Sequence, residues 1–274
     1  MRRLALLFTL LVAAGAAQAQ GCGEVLSIST ASAGELRAAF VAPTAQPAIT
    51  LVLLPGGGGH ADLDAQGCAQ KLTGNSLNRM RPLFNGMGLG TVFVDAPSAH
   101  QGGDGLGGYR IAPEHADDLG RLIATVRQRS GGAVWLVGTS RGAISAVNAA
   151  ARLKGDAAPD GVVLTSAVVL GDPRARKPWV AHSVFDLPLR DIAQPLLVVV
   201  HGQDTCLRSP PTESKRLIAA TRSSRSQAVT VTGGPGPRTS DRLQACEGQS
   251  PHGYAQQEQA VADGIARFVR GGRY

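Results

Sequence analysis

Ser140 stands between Gly138 and Gly142 in GxSxG spacing, directly after the apolar run AVWLVGT and directly before the helix-compatible stretch AISAVNAAARL. A chain that reverses from strand to helix within a few residues holds such a serine in a strained, exposed position at the sheet edge. Glycines two positions to either side are needed because a Cβ there would crowd the turn. The helix that begins beyond the serine offers free backbone N–H groups and a partial positive charge, which suit an oxyanion forming at the reacting carbonyl.

A serine hydroxyl is a poor nucleophile at neutral pH, so this chemistry needs a histidine base and an acid to orient it, following in that chain order: serine, acid, histidine. Three histidines lie beyond Ser140. His182 sits in a Pro- and Arg-rich loop ahead of any plausible acid, and His201 closes the strand-like run PLLVVVH. His252, on a turn before the last amphipathic stretch, is the candidate base; in isolation it would read as a solvent-exposed loop histidine. Asp204, three residues past the run LLVVVH, is placed where an acid belongs, in the turn after a strand near the one bearing the serine. Asp172, after the strand-like GVVLTSAVVL, is the alternative; Asp186 and Asp191 read as solvated or turn-forming carboxylates.

A second oxyanion donor is expected from the glycine run Gly56–Gly59 in LLPGGGGH, which follows another apolar run. The candidate donors are the amides of Gly57, Gly58 and Arg141. A phosphate-binding loop is excluded there, because the run lacks the GK[ST] ending. The second glycine cluster, GGDGLGGYR at 102–110, contains a formal GxGxxG but does not open a helix directly from a strand. It reads as a rim loop or linker rather than a dinucleotide site.

The elements that must position these groups alternate in type. Strands are expected at ELRAAFVA, 48–55, 90–97, the elbow run, 161–167, 195–201 and 228–232. Helices are expected at 112–129, after Ser140, at 212–221 and at 255–270. In 112–129, Ala116, Leu119, Leu122, Ile123 and Val126 recur at helical spacing. Near-continuous apolar strands separated by helices imply a mostly parallel sheet covered on both faces, with reactive residues at the carboxyl ends of the strands. The short connections leave room for little or no lid. The longest candidate is 168–194, containing Trp179, His182 and Phe185, which suits small or accessible esters better than long-chain lipids.

The N-terminus MRRLALLFTLLVAAGAAQAQ has two arginines, an apolar run and an AxA pattern, the signature of an export signal cut after Ala19. The apolar run is too short to span a membrane, and Ala19-Gln20-Gly21 is a poor lipoprotein box. Periplasmic or secreted location follows, with residues 20–274 as one α/β domain. Cysteines at 22, 68, 206 and 246 allow three pairings in such an oxidising compartment. A 206–246 bridge would tie the Asp204 loop to the His252 loop and leave Cys22 for Cys68, whereas plain stapling leaves the pairing open. The net charge is +7, or +5 without Arg2 and Arg3. Basic residues are scattered and aromatics make up only 4%, so neither a stacking platform nor a basic helix for nucleic acid is present.

Taken together, GGGG (56–59), DAPS (95–98), GTSRG (138–142), HxxDxC (201–206) and CxxxxxHG (246–253) resemble small secreted bacterial members of the α/β-hydrolase superfamily, over about residues 48–270. The resemblance implies an α/β-hydrolase fold and a serine hydrolase acting on small-molecule esters. Ser140 would be nucleophile, Asp204 acid and His252 base, with no metal or organic cofactor. A peptidase or amidase with the same triad, or a non-catalytic binding protein on the same fold, are the alternatives. One departure is Ala99, where such relatives often continue DAPS with an acidic residue.

Overall fold

Eight strands form one sheet in the order β1-β2-β4-β3-β5-β6-β7-β8. The computed structural model describes residues 22–31 and 34–274, so the expected export signal and cleavage after Ala19 lie outside the described residues. The strands are β1 (Glu24–Ser29), β2 (Glu35–Val41), β3 (Ile49–Leu54), β4 (Gly90–Val94), β5 (Ala133–Thr139), β6 (Gly161–Thr165), β7 (Leu196–His201) and β8 (Ser226–Val231). β1 and β2 form an antiparallel hairpin, and β2 joins β4 antiparallel. From β4 through β8 every pairing is parallel.

The helices are α1 (Ser76–Gly86), α2 (Pro113–Ser130), α3 (Gly142–Arg152), α4 (Pro178–Ala181), α5 (Ser214–Ala219) and α6 (Glu258–Val269). Alternate residues of each central strand face opposite layers. Val52 and Leu54 of β3 join α2 and α3 residues such as Leu119, Ile123 and Val147 in one core. Ile49, Leu51 and Leu53 join Met80 and Phe84 of α1 and Ile265 and Phe268 of α6 in the other. This is why β3, β5 and β7 read as continuous apolar runs: both of their faces are covered.

Besides the four-residue α4, two elements escaped the sequence reading. β1 (EVLSIS) fully buries only Leu26 and sits at the sheet edge, where its polar residues stay wet. α1 carries Pro82 and has no acidic residue in its first turn, so its start is marked only by Asn75, whose side chain accepts from the Leu77 amide. The segment 168–194 does not form a large cap; it holds only the four-residue α4 and two single 3-10 turns. The side chain of Trp179 lies outside the described residues. No helix among the described residues is long and apolar enough to cross a membrane.

Candidate active site

Ser140 follows β5 and precedes α3 with a φ of 52°, a left-handed conformation that costs a non-glycine residue free energy of order 1–3 kcal/mol. The surroundings hold it there. Its amide donates to the Thr165 carbonyl of β6 at 2.9 Å, and its own carbonyl accepts from Ala143 and Val168. A Cβ on Gly142 would lie 2.0 Å from the Leu54 carbonyl oxygen, so the turn can pack against the end of β3 only with glycine there.

The glycine run after β3 comes close to the same hydroxyl. A Cβ on Gly56 would sit 2.9 Å from Cβ of Ser140. Gly57 has no hydrogen-bond partner for its amide among the described residues, and both Gly57 and Arg141 line the cavity that contains Ser140. Gly58 does not line it. Its carbonyl accepts from the Leu106 amide at 2.8 Å, which turns the residue toward the second glycine cluster. That cluster is therefore a buttress behind the Gly56–Gly59 turn, since none of residues 102–110 lines the cavity.

Asp204 and His252 meet across two loops. The His252 Nδ1 lies 2.8 Å from Asp204 Oδ2, and both side chains are almost fully buried. The other carboxylate oxygen accepts from the Cys206 amide at 2.8 Å, which fixes the plane of the group. Cys206 is disulfide-bonded to Cys246, and Cys22 to Cys68. The 206–246 bridge joins the Asp204 loop to the segment leading to His252. Ser166, after β6, donates to the His252 carbonyl at 2.8 Å and lies 2.9 Å from the hydroxyl of Tyr254, which donates to Val199 of β7.

The remaining nitrogen, His252 Nε2, is buried and has no hydrogen-bond partner among the described residues, the Ser140 hydroxyl included. His252 and Ser140 line the same cavity of about 570 Å³, walled also by Leu72, Val168, Val180 and the 206–246 disulfide. In unliganded sites such a bond is often long and tightens when substrate binds. Asp204, Cys206 and His252 cluster as a metal site would, but the Cys206 sulfur is already bonded to Cys246.

The other candidates lie elsewhere. Asp172 is exposed and accepts from the Arg174 amide in a turn, and His201 is a buried strand-end residue bonded to the Gly233 carbonyl and Gln203 amide. Asp186 caps the 3-10 turn that starts at Val184.

Three supports were not visible in the sequence. Asp95, at the end of β4, accepts from the amides of Ala61, Leu63 and Ala96 and from His60, fastening the chain that leaves the glycine run. Arg110 is fully buried; it donates to Ser145 at 2.8 Å and to the carbonyls of Pro55 and Gly57 at 3.0 and 3.4 Å. These two carbonyls flank the Gly56–Gly57 peptide, so Arg110 fixes the direction in which the Gly57 amide points. Burial lowers its pKa to about 9, with a contribution from Arg141. Arg79 of α1 donates to the carbonyls of Gly74 and Gly253 and to Glu258, pinning the His252 turn from the other side. The DAPS motif was the one signal that could have singled out Asp95; nothing in GYR marks Arg110.

No protein-family model and no curated protein matches the chain. Solved structures do. Est1E from Butyrivibrio proteoclasticus is 16% identical with a TM-score of 0.60, covering 90% of this chain and 98% of its own. Proline iminopeptidase of Mycobacterium smegmatis is 12% identical, TM-score 0.59, with 90% and 98% covered. Dienelactone hydrolase of Anabaena variabilis is 18% identical, TM-score 0.55, with 89% and 96% covered.

Proposed function

With the α/β-hydrolase fold as premise, we propose that this chain is a serine hydrolase that cleaves carboxylic esters through an acyl-enzyme. The observation that carries the reading is the buried Asp204–His252 hydrogen bond of 2.8 Å, with His252, its Nε2 unpartnered among the described residues, lining the same cavity as the strained Ser140. Asp204 holds the imidazole with Nδ1 protonated, leaving Nε2 as the acceptor for the serine proton. Ser140 attacks the ester carbonyl, His252 takes its proton and returns it to the leaving alcohol, and the Gly57 and Arg141 amides bind the oxyanion. Water then repeats the sequence on the acyl-enzyme.

Two disulfides suit an oxidising compartment, and with the N-terminal signal they support an exported enzyme. A cavity of this size, without a large cap, favours small or accessible esters. Hydrolysis of 4-nitrophenyl esters of rising chain length, beside the matched 4-nitroanilides, tests the reading. Turnover concentrated on short esters is expected. Faster cleavage of the anilides would move the protein to the peptidases or amidases, and no turnover of either would favour a binding protein.

A further inference from the structure

The carboxyl end of β6 touches both the serine turn and the histidine turn. Its Thr165 carbonyl accepts from the Ser140 amide at 2.9 Å, and the next residue, Ser166, donates its hydroxyl to the His252 carbonyl at 2.8 Å. A single peptide unit therefore stands between the two turns. β6 is a firm reference for both, because it is paired in parallel with β5 and β7, and the Ser166 amide extends the β7 side by donating to Val199 at 3.0 Å. His252 has no such frame of its own; it lies in a 3-10 turn of three residues, Pro251–Gly253.

Ser166 occupies its place against its backbone preference. Its φ is 44°, in the left-handed region that favours glycine, and it is fully buried. A serine brings little apolar packing to such a position, so what it supplies over glycine is the hydroxyl. The proton count points the same way. Tyr254, whose hydroxyl lies 2.9 Å from that of Ser166, has one proton to give and donates to the Val199 carbonyl at 2.7 Å. The His252 carbonyl has no other donor among the described residues, and a buried carbonyl left without one is disfavoured. Asp204 holds the ring through Nδ1 at 2.8 Å, and Ser166 holds the main chain from which that ring projects. With both ends fixed, the direction of Nε2 is fixed.

We propose that Ser166 is a positioning residue: through the His252 carbonyl it sets where Nε2 stands relative to the Ser140 hydroxyl. The inference rests on the hydrolase reading and gives a role in it to a residue that does not line the cavity.

The test separates the hydroxyl from the backbone. Ser166→Gly and Ser166→Ala both remove the hydroxyl, but only glycine adopts a positive φ without strain, so the glycine variant should be the more stable in denaturant unfolding. Turnover of 4-nitrophenyl butyrate should ignore that difference. In both variants kcat should fall about 10- to 100-fold, the scale of a misplaced reacting group, with KM changed by no more than about twofold. A kcat that stays near wild type in the glycine variant, or that falls in the alanine variant alone in step with its stability, would make Ser166 structural and overturn the proposal.

A second readout needs no turnover. The His252 Nδ1 proton, identified in the proton NMR spectrum by its loss in His252→Gln, should exchange with water at least about tenfold faster in Ser166→Gly than in wild type, because the turn opens more readily. Equal exchange overturns the proposal. If wild type hydrolysed no ester, the hydrolase reading would fail, and the exchange comparison would still decide whether Ser166 holds the imidazole in place.

Discussion

The two halves of the site are held by different means. On the Ser140 side, the elbow and the glycine turn leave buried strands within a residue or two, and noncovalent contacts fix them: Asp95, Arg110 and the second glycine cluster all lie behind the turn. On the His252 side, the Asp204 and His252 loops come from β7 and from a stretch of more than twenty residues beyond β8 that contains only short 3-10 turns. There a disulfide and the Ser166–Tyr254 contacts hold what secondary structure does not. Where the strand end itself aims the group, buried hydrogen bonds suffice; where a long loop must bring a group back, a covalent tie takes over.

The largest expected effect lies on the loop side. Asp204→Asn keeps the shape but favours the wrong imidazole tautomer, so kcat should fall by roughly 10³- to 10⁴-fold. Steady-state kinetics on a 4-nitrophenyl ester checks this, and a loss under tenfold would mean that the acid lies elsewhere. On the strand side, Arg110→Met removes the donor that fixes the Pro55 and Gly57 carbonyls without touching the substrate. A drop in kcat of about 10²-fold with little change in KM is expected, comparable to losing one oxyanion donor. A change confined to melting temperature would make Arg110 purely structural.

The bridges contrast the halves directly. Removing either should cost about 2–4 kcal/mol in denaturant unfolding. At equal folded fraction, however, Cys206→Ser with Cys246→Ser should lower kcat about tenfold, an estimate from the loss of positioning, while Cys22→Ser with Cys68→Ser should leave it near wild type. Equal losses in kcat would dissolve the comparison.

The smallest effect is a pH dependence of stability on the strand side. His115 is buried, 2.8 Å from the Ser145 hydroxyl, and its pKa falls from 6.5 to about 3, first through burial and then through the nearby Arg110 and His100. Between these values the unfolded chain binds a proton that the folded chain does not, so stability is lost as pH falls from 6.5 toward 3. Wild-type melting temperature should drop more between pH 7 and 5 than that of His115→Gln. Parallel curves would contradict this.

Much of this arrangement was legible because the strands are covered on both faces and so appear as unbroken apolar runs ending at chemically distinct residues. Ser140, Asp204 and His252 each follow or terminate a recognisable pattern. The 206–246 pairing was legible from its flanks, since one cysteine lies beside Asp204 and the other shortly before His252. Edge strand β1 and helix α1 were not legible: a six-residue wet edge strand has no strong period, and α1 is interrupted by Pro82 and capped by one asparagine. Gly58 shows a different limit. Four consecutive glycines are equivalent in sequence, yet only Gly56 and Gly57 line the cavity, and the Leu106 contact holds Gly58 away from it. Arg110 is invisible for a related reason, because an arginine's burial depends on partners distant in the chain.

The most direct test of the account is labelling with a fluorophosphonate probe followed by peptide mass spectrometry. Modification of Ser140 in wild type, abolished in Ser140→Ala and slowed by orders of magnitude in His252→Ala, is the predicted result. No modification of folded wild type, or label on another serine that persists in Ser140→Ala, would contradict it.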